Sequence, residues 1–225
     1  MVFLIPTPAG APRLGGVTDT VFDALRSYID STTDVPDALA EARRDAEEFG
    51  LPVPDEATGQ LLSTLAAAGA SGKSAGAVAV TPAVGVVGLH LLHGLGERGT
   101  LTCIDPEVVH QKQAKRVFRA AGFSPSRVRF LPSRPLDVMG RLAADSSQLV
   151  YVDVPAIELS AVVRAAWPLL CEGGTLVLAD ALLDETRTDR ETIAAREAET
   201  LVREIEDAVI TRLPLGGGLV LATRR

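Results

Sequence analysis

The stretch AVAVTPAVGVVGLHLLHGLGERGTLTCID, residues 77–105, decides how this chain folds. It begins with small and β-branched residues at 77–81, continues with an apolar run of helical length at 85–95, and ends with a second apolar strand at 101–104. A strand, a helix and a second strand in this order form a crossover, which makes the two strands parallel. The stretch therefore predicts a βαβ unit.

The same alternation continues towards the C-terminus and predicts an α/β fold with a doubly wound, mostly parallel sheet. Near the end, two apolar segments flank Gly216, Gly217 and Gly218, a pattern typical of an antiparallel hairpin. The further predicted strands are 128–131, 149–153 and 175–179, and the further predicted helices are 107–121, 136–143, 158–170 and 189–207.

Helical segments precede the central stretch. Residues 1–16 are rich in proline and glycine and predict an arm, whereas apolar spacing predicts two helices between 17 and 49, separated at Pro36. Another helix, around Leu61, leads into a Gly/Ser-rich connection at 69–76. We expect residues 1–50 to be an arm and helices that pack on a single α/β domain at 51–225.

Composition excludes several classes of function. The formal net charge of −7 predicts no general affinity for nucleic acid or for anionic membranes, since both would repel the chain. The uncharged stretch 74–96 contains Pro82 and several glycines, so it predicts buried elements of a domain rather than a membrane span. Cys103 and Cys171 lie in separate apolar patterns, and Met1–Ile5 carries no basic residue. These features predict no disulfide and no signal peptide, and therefore a cytoplasmic protein.

Four further motifs each contain or follow a predicted strand: LTCIDPE at 101–107, LVYVD at 149–153, GGTLVLAD at 173–180 and LPLGGGL at 213–219. The chain resembles, from about residue 53 to 225, the cation-dependent O-methyltransferase family of the catechol and caffeoyl-coenzyme A type, especially its actinobacterial members. The resemblance implies the Rossmann-like class I methyltransferase fold, with a seven-stranded sheet that ends in the antiparallel hairpin. It also implies S-adenosyl-L-methionine as cofactor and a small hydroxylated acceptor.

The cofactor is expected outside the carboxyl ends of the strands, beside the loop that follows Thr81. Asp105 ends the second strand and is placed to accept the ribose hydroxyls, although a cap for the following helix is an alternative role. Ala79 stands where the family has an acid, and Thr81, Pro82 and Ala83 stand where it has Gly, Thr and Gly. The resemblance implies cofactor contacts from Val53, Ala79, Thr81, Pro82, Gly85, Val87, Asp105, Pro106 and Leu136.

The acceptor is expected near Asp153, which matches a substrate-contacting carboxylate of the family. Asp153 and Asp180 also match two carboxylate ligands of a divalent cation, for which Mg²⁺ is the natural candidate. Ala181 replaces the Asn that serves as the third ligand, and Ala156 replaces the lysine expected to assist deprotonation, so no catalytic base is predicted. Hydrogen bonding at strand ends is the alternative role of the two aspartates.

Three functional hypotheses follow. The first is an S-adenosylmethionine-dependent O-methyltransferase, expected to be a homodimer by analogy with bacterial members of the family. The second is a catalytically impaired relative that serves as a binding module, because motif residues are replaced. The third, nucleotide hydrolysis, depends on a loose phosphate-loop pattern at 67–74 that follows a helix rather than a strand. His90, His93 and His110 are interpreted as helix histidines rather than a metal cluster.

Overall fold

The computed structural model describes residues 15–69, 76–182 and 190–225. The predicted N-terminal arm and the phosphate-loop pattern lie largely outside these residues. The chain divides into two compact units, Met1–Thr33 and Asp34–Arg225. The first unit contains helix α1, whose side chains Val21, Phe22, Leu25 and Tyr28 are exposed.

The second unit alternates strands and helices along most of its length. Short 3₁₀ turns occur at Pro125–Arg127, Met139–Arg141 and Trp167–Leu169. After α1 (Gly15–Thr32) of the first unit, the helices are α2 Asp37–Glu48, α3 Glu56–Ala68, α4 Val84–Gly94, α5 Val108–Ala120, α6 Pro135–Val138, α7 Ala156–Ala166 and α8 Arg190–Arg203. The strands are β1 Gly76–Val80, β2 Thr100–Ile104, β3 Val128–Leu131, β4 Ser147–Val152, β5 Leu170–Leu178, β6 Ala208–Leu213 and β7 Leu219–Arg224.

These strands form one seven-stranded sheet in the order β3-β2-β1-β4-β5-β7-β6. The first five strands in this order are parallel, and β7 runs antiparallel to both β5 and β6. Val80 at the end of β1 lies level with Ile104 of β2 and Val152 of β4. The carboxyl ends of these strands therefore meet at one edge, and the predicted fold class is confirmed.

The sheet is buried on both faces, as a parallel sheet with crossover helices requires. Along β1, Ala77 and Ala79 face a core shared with α2 to α5, whereas Val78 and Val80 face a core shared with α7 and α8. Every residue of β4 is buried. Burial on both faces of the sheet therefore explains why the strands are almost continuously apolar in the sequence.

Helix α4 packs closely against its neighbours through glycines. A β-carbon at Gly88 would lie 3.0 Å from Cε1 of Phe118 and 3.2 Å from Cδ2 of Leu101. A β-carbon at Gly59 of α3 would collide with the ring of His90. His90 is 7% exposed, and its Nε2 makes no hydrogen bond. Burial is the largest cause that lowers the pKa of His90 to about 4, followed by the charge of Arg43.

One sequence expectation requires correction. The helix predicted at 136–143 is only the single turn α6, because the backbone at Val138 departs from helical geometry (φ −124°) and a 3₁₀ turn follows. Glu199 of α8 forms an ion pair with Arg212 of β6, at 2.9 Å. None of the described helices combines the length and apolarity needed to cross a membrane.

Candidate functional site

A cavity of about 360 Å³ opens at the carboxyl ends of β1, β2 and β4. The chain leaves β1 towards β2 on one side of the sheet, and β4 returns on the other side, so the cavity lies where the strand order reverses. Its walls come from the strand ends, from the start of α5, from Arg134 and Pro135 before and within α6, and from residues 153–158. A ligand-binding cleft is expected at this position in a doubly wound sheet.

Thr81 joins two sides of this cavity. Its Oγ1 donates a hydrogen bond to Oδ2 of Asp153 (2.9 Å) and accepts one from the backbone N–H of Ala83 (3.1 Å). Thr81 is buried, so the two bonds fix the turn between β1 and α4. The sequence placed Thr81 and Asp153 separately and contained no signal for their direct bond.

Asp105 is held from three directions at the nucleoside end expected from the sequence. Its Oδ2 lies 2.7 Å from Nδ1 of His110, and its Oδ1 accepts a longer bond of 3.4 Å from the backbone N–H of Glu107. Nε2 of Gln111 donates to its backbone carbonyl at 2.8 Å. Burial raises the pKa of Asp105, and the hydrogen bond from His110 opposes that rise.

His110 is a residue whose role sequence reasoning missed. Its ring packs edge-on against Phe49, with 5.5 Å between ring centroids, and it lines the cavity. The sequence contained one signal for this contact with Asp105. His110 lies on the first turn of a helix, five residues after an acid at the end of a strand.

Asp153 and Asp180 follow the ends of β4 and β5, as expected. Burial raises the pKa of Asp153, the bond from Thr81 lowers it, and Asp180 raises it again. Asp153 lines the cavity. Asp180 instead accepts a 2.7 Å hydrogen bond from the backbone N–H of Gly217 in the hairpin, and its backbone has a positive φ of 48°.

A metal centre is not evident in the ranges that the structure describes. There, no group of three His, Cys, Asp or Glu side chains is arranged to hold an ion. Asp153 and Asp180 are close enough for the charge of Asp180 to affect the pKa of Asp153, and together they would offer two carboxylates.

The other sequence-predicted contacts divide into two groups. Pro82 and Pro106 line the cavity beside Thr81, Asp105 and Asp153. The remaining five residues are not on its wall: Ala79 and Val87 are fully buried in the core, Gly85 faces Ala42 and Val117, and Val53 and Leu136 are exposed.

The charged side chains on the cavity wall are mostly acidic. The acidic lining residues are Asp105, Glu107, Asp153 and Glu158. Among the described lining residues, only Arg134 is an arginine or a lysine. Carboxylates in a partly desolvated cleft favour a positively charged ligand. A sulfonium ligand with an ammonium group matches this charge.

Comparisons with known proteins agree with the fold. A protein from a Mycobacterium species (strain KMS) that carries the name of an O-methyltransferase is 36% identical over 207 residues, covering 90% of this chain and 93% of its own length. A similarly named protein from Mycobacterium marinum is 38% identical, with coverage of 90% and 91%. No protein-family model matches the chain.

Solved structures show the same architecture. A crystal structure of a Corynebacterium glutamicum protein shares 60% identity and a TM-score of 0.88, covering 91% of this chain and 97% of the other. The O-methyltransferase TomG of Streptomyces achromogenes, solved in complex with S-adenosylmethionine, shares 21% identity and a TM-score of 0.77, covering 89% and 96%. The mycobacterial relatives cover nearly the whole chain well above 30% identity. The chain therefore belongs to the O-methyltransferase family.

Proposed function

We propose that the protein is an S-adenosyl-L-methionine-dependent O-methyltransferase that acts on a small hydroxylated acceptor. One observation carries the proposal: a cavity at the strand-order reversal presents Asp105 at the end of β2 and Asp153 at the end of β4. The named relatives support the reaction class, and the S. achromogenes structure contains this cofactor. They do not favour the alternative of a non-catalytic binding module.

The residues present fit this cofactor. Oδ1 of Asp105 has only the long 3.4 Å contact with a backbone N–H, so it retains lone-pair capacity for ribose hydroxyls. Pro106 and Pro135 offer apolar surface for the purine, with Leu136 next in the chain. Thr81 and Pro82 line the cavity and would follow the methionine part. Val53, Ala79, Gly85 and Val87 lie off the cavity wall, so their contribution to cofactor binding would be indirect.

The acceptor side is assigned to Asp153. The bound cofactor supplies an electrophilic methyl group, and the chain must align an acceptor oxygen with it. Asp153 is held by Thr81 at Oδ2, which leaves Oδ1 to accept a hydrogen bond from the acceptor hydroxyl. Because burial raises the pKa of Asp153, this carboxylate binds the acceptor proton more readily than an exposed aspartate would.

A divalent cation enters the proposal through Asp153 and Asp180. Carboxylate oxygens are the ligands that Mg²⁺ prefers. Asp180 is already bound to Gly217, so further ligands would have to come from the acceptor or from water. Methyl transfer measured with Mg²⁺ and with EDTA tests this part, since equal rates would remove the cation from the proposal.

Three broader features complete the proposal. We assign residues 51–225 to the methyltransferase domain and residues 1–50 to the arm and helices that precede it.

We propose a homodimer, in which the exposed apolar side chains of α1 would form part of the interface. Light scattering that finds a monomer at tens of micromolar would refute the dimer. The free thiols Cys103 and Cys171 suit the reducing cytoplasm.

Calorimetric titration with S-adenosylmethionine and S-adenosylhomocysteine tests the central proposal. We expect saturable binding of both ligands, because the adenosine that they share contacts Asp105. Methyl transfer to a panel of small phenols and catechols then separates enzyme from binding module. No heat and no thermal shift at millimolar ligand would overturn the proposal.

A further inference from the structure

His110 lies between the residue assigned to the ribose and an aromatic ring. Its Nδ1 is 2.7 Å from Oδ2 of Asp105, and its ring meets Phe49 edge-on. Only 10% of its side chain is exposed, and 4% of that of Asp105. His110 also lines a small second cavity of about 20 Å³ beside Ala42 and Gly85.

We infer that His110 is a positioning residue, which donates from Nδ1 to Oδ2 of Asp105 and thereby presents the carboxylate to the ribose of the cofactor. The inference rests on the proposed function, because it assumes that a nucleoside occupies the cavity. An ionised carboxylate has no hydrogen to donate, so Nδ1 must carry the hydrogen of this bond.

Two adjacent residues of α5 hold Asp105 in complementary ways. Gln111 fixes the backbone carbonyl of Asp105, and His110 fixes the side chain. The contact from the N–H of Glu107 to Oδ1 is long (3.4 Å), so the bond from His110 (2.7 Å) is the shorter of these two contacts to the carboxylate. Without it, the carboxylate gains rotational freedom that the ligand must remove on binding.

The bond also affects the charge of Asp105. Burial raises the pKa of this carboxyl, and the hydrogen bond from His110 lowers it. The ionised form accepts hydrogen bonds from both ribose hydroxyls, whereas the protonated form loses part of that capacity. His110 therefore favours both the orientation and the ionisation state that ribose recognition needs.

Three substitutions separate the hydrogen bond from the packing of the ring. His110→Phe keeps a ring against Phe49 and removes the donor. His110→Asn places an amide N–H close to the position of Nδ1, so it retains the donor. His110→Gln places its amide near the position of Nε2, which gives a second donor-displaced variant if the phenylalanine variant folds poorly.

The measurement is calorimetric binding of S-adenosylhomocysteine and of its 2′-deoxyribose analogue to the full-length protein. We expect His110→Phe and His110→Gln to bind S-adenosylhomocysteine roughly 10-fold more weakly, the loss typical of a charge-assisted hydrogen bond, and His110→Asn to bind within about threefold of the parent. The preference for S-adenosylhomocysteine over its 2′-deoxyribose analogue should fall in His110→Phe and in His110→Gln. A purely structural role would weaken both ligands equally and leave that preference intact, and this result would overturn the inference.

A double-mutant comparison adds a second criterion. Asp105→Asn combined with His110→Phe should bind no more weakly than Asp105→Asn alone, because His110 acts through that carboxylate. Additive losses would overturn the inference. His93→Asn, a change at an exposed histidine of α4, is the matched control and should bind like the parent.

The outcomes distinguish the two levels of the argument. A parent protein that binds neither ligand would overturn the proposed function and this inference together. A parent that binds S-adenosylhomocysteine while His110→Phe and His110→Gln bind it equally well would overturn the role of His110 and leave the proposed function standing.

Discussion

At the scale of single residues, the site depends on aspartates whose surroundings differ. Asp105 is held by His110 and by the start of α5, whereas Asp153 is held by Thr81 across the sheet. Burial raises the pKa of both carboxyls. Their positions at opposite sides of β1 predict that they fail differently when changed.

Asp153→Asn tests the acceptor side. The change keeps the shape of the side chain but removes the negative charge and the capacity to hold the acceptor proton. We expect S-adenosylhomocysteine affinity within about threefold of the parent and a loss of methyl transfer of roughly 100-fold or more, as for removal of a general base. Calorimetry and a transfer assay measure the two effects. Glu172→Gln, an exposed change in β5, is the control, and parental transfer rates in Asp153→Asn would contradict the assignment.

His90 predicts an acid-sensitive stability. Its pKa is lowered from 6.5 to about 4 in the folded protein, so below pH 6.5 the unfolded chain binds a proton that the folded chain does not. The free energy of unfolding should therefore fall as the pH drops from 6.5 towards 4. Relative to pH 7.5, His90→Leu should abolish about 2 kcal/mol of this loss at pH 5, measured by urea unfolding. A parallel pH profile in parent and variant would contradict this.

Much of the candidate site was predictable from local sequence. Asp105 and Asp153 follow apolar strands directly, and parallel strands bring their carboxyl ends together. The bond between Thr81 and Asp153 spans 72 positions, so no local pattern encodes it. The hydrogen bond between His110 and Asp105 depends on the direction of the His110 side chain in the first turn of α5, which the sequence spacing does not reveal.

At the scale of elements, the glycines of α4 set how closely the helices pack. The sequence predicted α4 almost to its ends, because its apolar run has helical length. It overestimated α6, since the apolar spacing at 136–143 does not report the backbone change at Val138. A buried Met139 in the following 3₁₀ turn satisfies the same pattern without a helix.

Two glycines of α4 provide a matched pair of substitutions. Gly88→Ala would force a β-carbon into Phe118 and Leu101, so we expect a loss of about 1–3 kcal/mol in the free energy of unfolding, as for other overpacked sites. Gly85→Ala would meet Ala42 at an ordinary 3.5 Å and Val117 at 3.6 Å. Its helix propensity should then raise the free energy of unfolding by up to about 1 kcal/mol. Urea denaturation measures both, and equal effects would contradict the packing described for α4.

At the scale of the whole molecule, the ligand cavity belongs to the unit Asp34–Arg225, which also contains both cores. A ligand that binds only the folded form stabilises it by about 2.7 kcal/mol at 100 times its Kd. For a protein of this size, we expect S-adenosylhomocysteine to raise the Tm by about 5–10 °C. Scanning calorimetry measures the shift. Asp105→Asn at the same ligand concentration should show a smaller one, and identical shifts would contradict the placement of the ligand at Asp105.

The position of β7 bears on how the chain is synthesised. This last strand lies between β5 and β6, where Val177 pairs with Leu221 and Thr211 pairs with the same residue from the other side. While the chain is still being made, β5 has an open edge until β7 has been synthesised and pairs with it. Pairing that spans more than forty positions of sequence also forms slowly. Ribosome-bound nascent chains that stop before residue 219 would therefore expose an apolar strand edge, and chaperones on the ribosome should engage them more strongly than chains that contain β7.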